Sequence, residues 1–111
     1  MKALNALVKR PANLRVLSNE PGYYKDGHYG IRCENLVVVK PVDGLGQDGK
    51  SFLQFEALTF VPFDQRLIIK ALLTSDEINW LNAYHQQVIE KVGPRLEGAA
   101  LAWLEHAARP L

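Results

Sequence analysis

Ser18-Asn19-Glu20-Pro21-Gly22-Tyr23-Tyr24, followed by Gly30-Ile31-Arg32-Cys33-Glu34-Asn35-Leu36-Val37-Val38-Val39, is the stretch that decides how this chain folds. It sets two carboxylates, Glu20 and Glu34, at the ends of two apolar runs joined by a glycine-containing loop. The β-branched run Val37-Val38-Val39 is the kind that a strand buried on both faces carries. Residues 14–19 and 30–39 therefore predict two antiparallel strands, with residues 21–29 as the connecting loop and Asp26-Gly27 as its turn pair. Residues 40–51 form a polar stretch containing Gly44, Gly46 and Gly49. Residues 52–61 then return to strand character, with Leu53, Phe55, Ala57 and Thr59 alternating against Phe52, Gln54, Glu56 and Leu58 until Pro62 stops the run.

The second half reads as helical. Thr74-Ser75-Asp76-Glu77 matches a capping box, in which the Thr74 hydroxyl accepts from the Glu77 amide and the Glu77 carboxylate reaches back to the Thr74 amide. Ile78, Leu81, His85, Val88 and Val92 follow at helical spacing on one face, with Trp80 and Tyr84 on its flank. Gly93-Pro94 ends this helix and begins another, since proline is tolerated in a first turn. The second helix is predicted over residues 94–108, with Leu96, Ala100, Trp103, Leu104 and Ala107 as its apolar stripe. Strands followed by two packed helices make the fold class α+β.

Composition excludes several classes. A chain of 111 residues, 48% hydrophobic and 23% charged, is long enough for one globular core. Its 13 basic and 12 acidic residues create no field that would draw nucleic acid or an anionic membrane. No apolar run approaches the roughly 20 residues that span a bilayer. The single cysteine, Cys33, makes no internal disulfide, and residues 1–5 lack the apolar core of a secretory signal, so a reducing cytoplasm is the expected compartment.

The chemistry rests on few groups. In Gly30-Ile31-Arg32-Cys33-Glu34 the pleat puts Arg32 and Glu34 on one face, and carboxylates on neighbouring antiparallel strands can converge there. Two such carboxylates repel unless a proton, an arginine or a metal intervenes, and a hard divalent cation such as Mn2+ suits oxygen donors. Taken alone the residues leave two readings open, a metal site or two solvated strand-end carboxylates. Cys33 points to the other face and is expected as a packed thiol. His28 reads as a loop histidine, His85 as a core or interface residue, and His106 as a cation near a helix C-terminus. Asp26 and Asp43 could reach toward a site. The aromatic group Trp80, Tyr84 and Trp103 is explained by two-helix packing. Gly44-x-Gly46-x-x-Gly49 has nucleotide-loop spacing but no surrounding crossover unit, and is set aside.

The string Leu17 to Tyr24, then Gly30 to Val38, resembles the last two metal-ligand motifs of the aminopeptidase P branch of the pita-bread metallopeptidases. Phe55-Glu56-Ala57-Leu58-Thr59-Phe60-Val61-Pro62-Phe63-Asp64, Leu72-Leu73-Thr74, Trp80-Leu81-Asn82-Ala83-Tyr84-His85 and Trp103-Leu104 to Pro110-Leu111 resemble the C-terminal extension of the long cytosolic form. The resemblance implies residues 1–62 as the incomplete C-terminal part of a pita-bread domain and residues 63–111 as a helical extension. It implies Glu20 as a ligand to one ion of a dinuclear, usually manganese, centre and Glu34 as a bridge between both ions. Arg32 and Tyr24 match positions that support the ligands. The implied activity removes the N-terminal residue from peptides with proline second, the ions polarising the carbonyl and activating water.

The family's remaining ligands, two aspartates and a histidine, lie upstream of these motifs, and this chain has no segment that supplies them. Residues 1–15 also lack the Pro-Gly turn the family places before the first strand, which fits either a start within a longer gene or an altered remnant. Weak metal binding and no appreciable peptidase activity are expected of the chain alone. Two functions follow. One is the C-terminal portion of a proline-specific metalloaminopeptidase that depends on a missing catalytic half. The other is a non-catalytic interaction or homodimerisation module using the sheet edge and the Trp80, Tyr84 and Trp103 surface. A large exposed apolar sheet area favours the first.

Overall fold

The computed structural model describes residues 15–42 and 52–111. Asp43 and the glycines at 44, 46 and 49 lie outside the described residues, as does the segment before Arg15. The chain divides into two compact units with the boundary between Thr59 and Phe60.

The first unit is made of strands: β1 (Val16–Asn19), β2 (Gly22–Lys25), β3 (Tyr29–Arg32), β4 (Asn35–Val42) and β5 (Phe52–Ala57). β4 is the centre of an antiparallel sheet of order β1-β4-β5, and β2 pairs with β3 in a two-stranded ribbon. The expected β-branched run is where the burial falls: Val37, Val38 and Val39 are buried, flanked by a strand on each side. The predicted loop over residues 21–29 is mostly this ribbon. Only Asp26-Gly27-His28 turns, closed by the His28 amide donating to the Lys25 carbonyl at 3.0 Å, with Gly27 at φ 68° as the Asp-Gly pair requires.

β5 stops at Ala57 rather than running to residue 61, because side chains take over the ladder. The Leu58 amide still donates to the Leu36 carbonyl at 2.8 Å, but the Leu36 amide donates to the Thr59 hydroxyl at 3.0 Å, and that hydroxyl donates to Asn35 Oδ1 at 2.9 Å. Around this sheet Val16, Leu36, Phe52, Leu53, Phe55 and Leu58 are exposed. Among the described residues these apolar side chains face solvent.

The second unit begins with an extended segment, Phe60 to Phe63, stapled to helix α1 (Ser75–Val92). The Tyr84 hydroxyl donates to the Val61 carbonyl at 2.9 Å and accepts from the Val61 amide at 3.2 Å. His85 Nε2 accepts from the Phe63 amide at 3.0 Å. These side chains satisfy backbone groups that no secondary structure pairs, as burial demands. Asp64 then caps a 3-10 turn (Gln65–Leu67), a second turn spans Lys70–Leu72, and α1 starts on the capping box as expected. Its buried residues are Leu81, Tyr84, His85 and Val88, so Tyr84 belongs to the core rather than its flank.

Pro94 opens only a 3-10 turn (Gly93–Arg95), and the final helix α2 (Gly98–Ala107) starts later than predicted. Leu96 and Glu97 are extended, and Gly98 enters the helix at φ 54°, a conformation that interrupts any continuous helix from Pro94. Leu104 and Ala108 are buried, Leu101 approaches Gly93, and the Leu111 amide donates to Asn82 Oδ1 at 2.9 Å, so the chain end is tied to α1. Trp80 stacks on Tyr84 at 5.7 Å, yet Trp80 and Trp103 stay 60% and 61% exposed. Two-helix packing therefore does not explain the tryptophans.

Candidate metal centre

One register runs through the whole hairpin. Asn19 faces Asn35 where β1 meets β4, Gly22 faces Arg32 where β2 meets β3, and the Cys33 amide donates to the Pro21 carbonyl at 3.0 Å between them. The pairing offset is the same on both sides of Pro21, so it places Glu20 opposite Glu34. Period-two alternation then lines Ser18, Glu20, Gly22 and Tyr24 along one face against Leu36, Glu34, Arg32 and Gly30. Glu20, Glu34, Arg32 and Tyr24 all fall on this face.

The side chains meet along the diagonals of that ladder. Arg32 Nη1 donates to Glu20 Oε2 at 2.9 Å and lies 3.8 Å from Glu34 Oε2. The Ser18 hydroxyl donates to Glu34 Oε1 at 3.2 Å. The hydrogen bond to Glu20 raises the Arg32 pKa above its ordinary value, with Tyr24 and then Glu34 adding to the effect. About half of each of these three charged side chains is exposed, so the ion pairs are solvent-screened.

Two glycines let Tyr24 join them. A Cβ at Gly30 would stand 2.7 Å from Tyr24 Cδ1, and one at Gly22 would stand 2.9 Å from both the Tyr24 hydroxyl oxygen and Arg32 Cγ. Only bare backbone there lets the ring lie across the ribbon, with its hydroxyl over Gly22 beside the Arg32 stem.

Two opposed carboxylates converging on a cation are a donor set that suits a hard divalent ion, and the guanidinium nitrogen between them marks where positive charge is favoured. Two carboxylates do not make a complete site: among the described residues no group of three or more His, Cys, Asp or Glu could hold a metal. His28 and Asp26 sit in the hairpin turn. His85 is fully buried in the second unit and hydrogen-bonded to backbone, and the His106 ring faces Arg109 at 3.3 Å. Cys33 is exposed, not packed, because it lies where the narrow ribbon leaves its other face open. Sequence reasoning gave no role to Ser18 or Thr59. The period-two phase shared by Ser18 and Glu20 was the available signal for the first; the Thr59 bond to β4 had none.

Residues 51–111 match the family described as the C-terminal region of peptidase_M24. A probable Xaa-Pro aminopeptidase P of Arthroderma benhamiae is 50% identical over 111 residues, covering 97% of this chain and 16% of the relative. Xaa-Pro aminopeptidase 1 of Dictyostelium discoideum is 40% identical, covering 94% and 18%. The crystal structure of an X-prolyl aminopeptidase from Caenorhabditis elegans, described as a cytosolic enzyme with a di-nuclear active site, superposes with a TM-score of 0.76 at 40% identity, over 87% of this chain and 16% of that one. The chain thus spans about a sixth of the length of the relatives it matches. In agreement with the resemblance of its two carboxylate motifs, the chain belongs to the peptidase_M24 family, whose C-terminal region it carries alongside the Xaa-Pro aminopeptidases.

Proposed function

We propose that this chain supplies Glu20 and Glu34 to a dinuclear Mn2+ centre that removes the first residue from peptides with proline second. The observation that carries the proposal is the register that opposes the two carboxylates across one hairpin face, with Arg32 between them. Glu20 and Glu34 would hold the ions, Glu34 to both, while Arg32 and Tyr24 set the carboxylates. When bound, the ions supply Lewis-acid polarisation of the peptide carbonyl and an activated water. This chain's own residues present oxygen donors in a fixed order and hold compensating charge beside them. The other ligands come, in this reading, from a catalytic half outside these 111 residues. The exposed apolar residues on β1, β4 and β5 support such a covering partner. A cytosolic location is proposed from the C. elegans relative, and among the described residues no helix is long and apolar enough to cross a membrane.

The test is Mn2+-dependent release of the first residue from an Xaa-Pro peptide. The chain alone should turn over no more than buffer, and robust turnover by it would overturn the dependence on missing ligands. A second reading, an interaction or homodimerisation module, draws on the exposure of Trp80 and Trp103. Sedimentation separates the two. A concentration-dependent dimer weakened by Trp80→Ala and Trp103→Ala, with no effect of Glu20→Gln or Glu34→Gln on Mn2+ binding, would favour the module.

A further inference from the structure

We infer that Ser18 is a positioning residue for Glu34, fixing the plane of its carboxylate before any ion arrives. The inference rests on the reading of Glu34 as a ligand that serves two ions. Such a carboxylate must offer its two oxygens in two different directions, and a freely rotating one would lose conformational entropy on binding. In this hairpin the two oxygens are already assigned. Oε1 accepts the Ser18 hydroxyl at 3.2 Å, from the β1 side and away from the hairpin tip; Oε2 faces Arg32 Nη1 at 3.8 Å, on the tip side. Ser18 stands on a cross-strand diagonal and Arg32 two residues away on the same stretch of chain as Glu34, so the two draw Oε1 and Oε2 toward opposite ends of the hairpin. Ser18 holds this place by backbone register: it faces Leu36, and its diagonal neighbour on the shared face is Glu34.

Backbone anchoring just past Glu34 supports the same end. The Asn35 side chain and the Leu36 amide are both engaged by the Thr59 hydroxyl, at 2.9 and 3.0 Å, so the start of β4, just past Glu34, is held from Thr59 while Ser18 holds the Glu34 side chain from β1. Arg32 alone would not suffice. An arriving cation competes with the guanidinium for the carboxylates, whereas a neutral hydroxyl can keep donating to an oxygen that also binds a metal.

The experiment uses the full 111-residue chain, labelled with 15N, and trace Mn2+ added at micromolar levels, where paramagnetic broadening reads even weak sites. In the wild type, broadening should centre on residues 18–22 and 32–36. Ser18→Ala should reduce its slope with Mn2+ about tenfold, the lower end of what loss of a ligand's supporting partner costs. Ser18→Thr, which keeps the hydroxyl, should stay within about twofold of wild type. Amide shifts of Val37, Val38 and Val39 report that the sheet is intact in each variant, so an altered slope cannot come from unfolding. Glu34→Gln separates the two levels of the claim. If Glu34→Gln abolishes the broadening and Ser18→Ala does not change it, or Ser18→Thr fails to restore it, the role of Ser18 is refuted while the ligand reading stands. If the wild type shows no broadening at Glu20 and Glu34, or Glu34→Gln leaves it unchanged, the ligand reading falls and takes this inference with it.

Discussion

His85→Leu tests the contact that anchors the start of the second unit. The histidine is fully buried, its Nε2 accepts the Phe63 amide at 3.0 Å, and its Nδ1 is buried with no hydrogen-bond partner among the described residues. Leucine keeps most of the volume and removes the acceptor. The Phe63 amide is then left unsatisfied, which costs about 1–3 kcal/mol, and relief of the unpartnered Nδ1 brings the expected loss to about 1–2 kcal/mol. For a unit of this size that corresponds to a fall in Tm of roughly 4–16 °C.

The pH dependence supplies an independent reading of the same contact. Burial lowers the His85 pKa below its ordinary 6.5, the Arg109 carbonyl opposing this in part. Between the depressed folded value and 6.5 the unfolded chain binds more protons than the folded one. The stabilisation is therefore fully present above about pH 6.5 and is lost as pH falls below it. Asp64 does not contribute in that window: Arg66 holds it at about 2, below its ordinary 3.8, so its stabilisation is lost only as pH falls from about 3.8 toward 2. Thermal melts of wild type and His85→Leu at pH 7.5 and 5.5, followed by circular dichroism, should show the gap between them shrinking at the lower pH. Equal melting temperatures at pH 7.5, or a gap that widens at pH 5.5, would refute the reasoning.

Three further outcomes follow from the hairpin and the helix start. Thr74→Ala removes one half of the capping box of α1 and should lower stability by about 1 kcal/mol in urea titrations, with Thr74→Ser close to wild type; an unchanged midpoint for the alanine variant counts against the cap. Gly30→Ala brings a Cβ against the Tyr24 ring, so nuclear Overhauser contacts from Tyr24 to Gly22 and Arg32 should vanish, and their persistence would show that the ring does not need the bare backbone. Arg32→Met strips the cation from between Glu20 and Glu34; the variant should melt lower than wild type in EDTA and regain more of its Tm on adding millimolar Mn2+ than wild type gains, and equal gains would contradict competition for one place.

Local signals carried the sequence reading furthest. The capping box at Thr74, the stripe through Leu81, His85 and Val88, and the buried run Val37 to Val39 are each written within a few residues, and each is found. β2 was missed because Pro21, Gly22 and Gly27 read as loop residues, and β3 was read as the start of a single strand over residues 30–39 that in fact breaks at Cys33-Glu34. At Gly22 and Gly30 the reason for glycine is a ring arriving from across the ribbon, which no local rule contains. The late start of α2 is a similar case: Pro94 permits a helix, but the extended Leu96 and Glu97 are set by how Leu101 and Leu104 find their places. Apolar spacing also named Trp103 as core, since periodicity identifies a stripe without saying which edge of it remains open. For the candidate site, Arg32 and Glu34 share a face by the pleat, while Glu20 and Tyr24 join them as a set only through the family resemblance; their common face needed the register.

That unbroken register makes the turn at Asp26-Gly27-His28 a tolerant tip and the stretch around Pro21 an intolerant hinge. Residues spliced in beyond Lys25 and Tyr29 would lengthen the finger without changing which residues stand opposite Glu20 and Glu34, because pairing is already fixed behind them. A single residue added between Glu20 and Gly22 would instead turn β2 over relative to β1, leaving Glu20 opposite Glu34 but carrying Gly22 and Tyr24 off the face they share with them. The finger can thus be extended, tagged or exchanged at its end as a separate module, while length on the Glu20 side of it stays quantised.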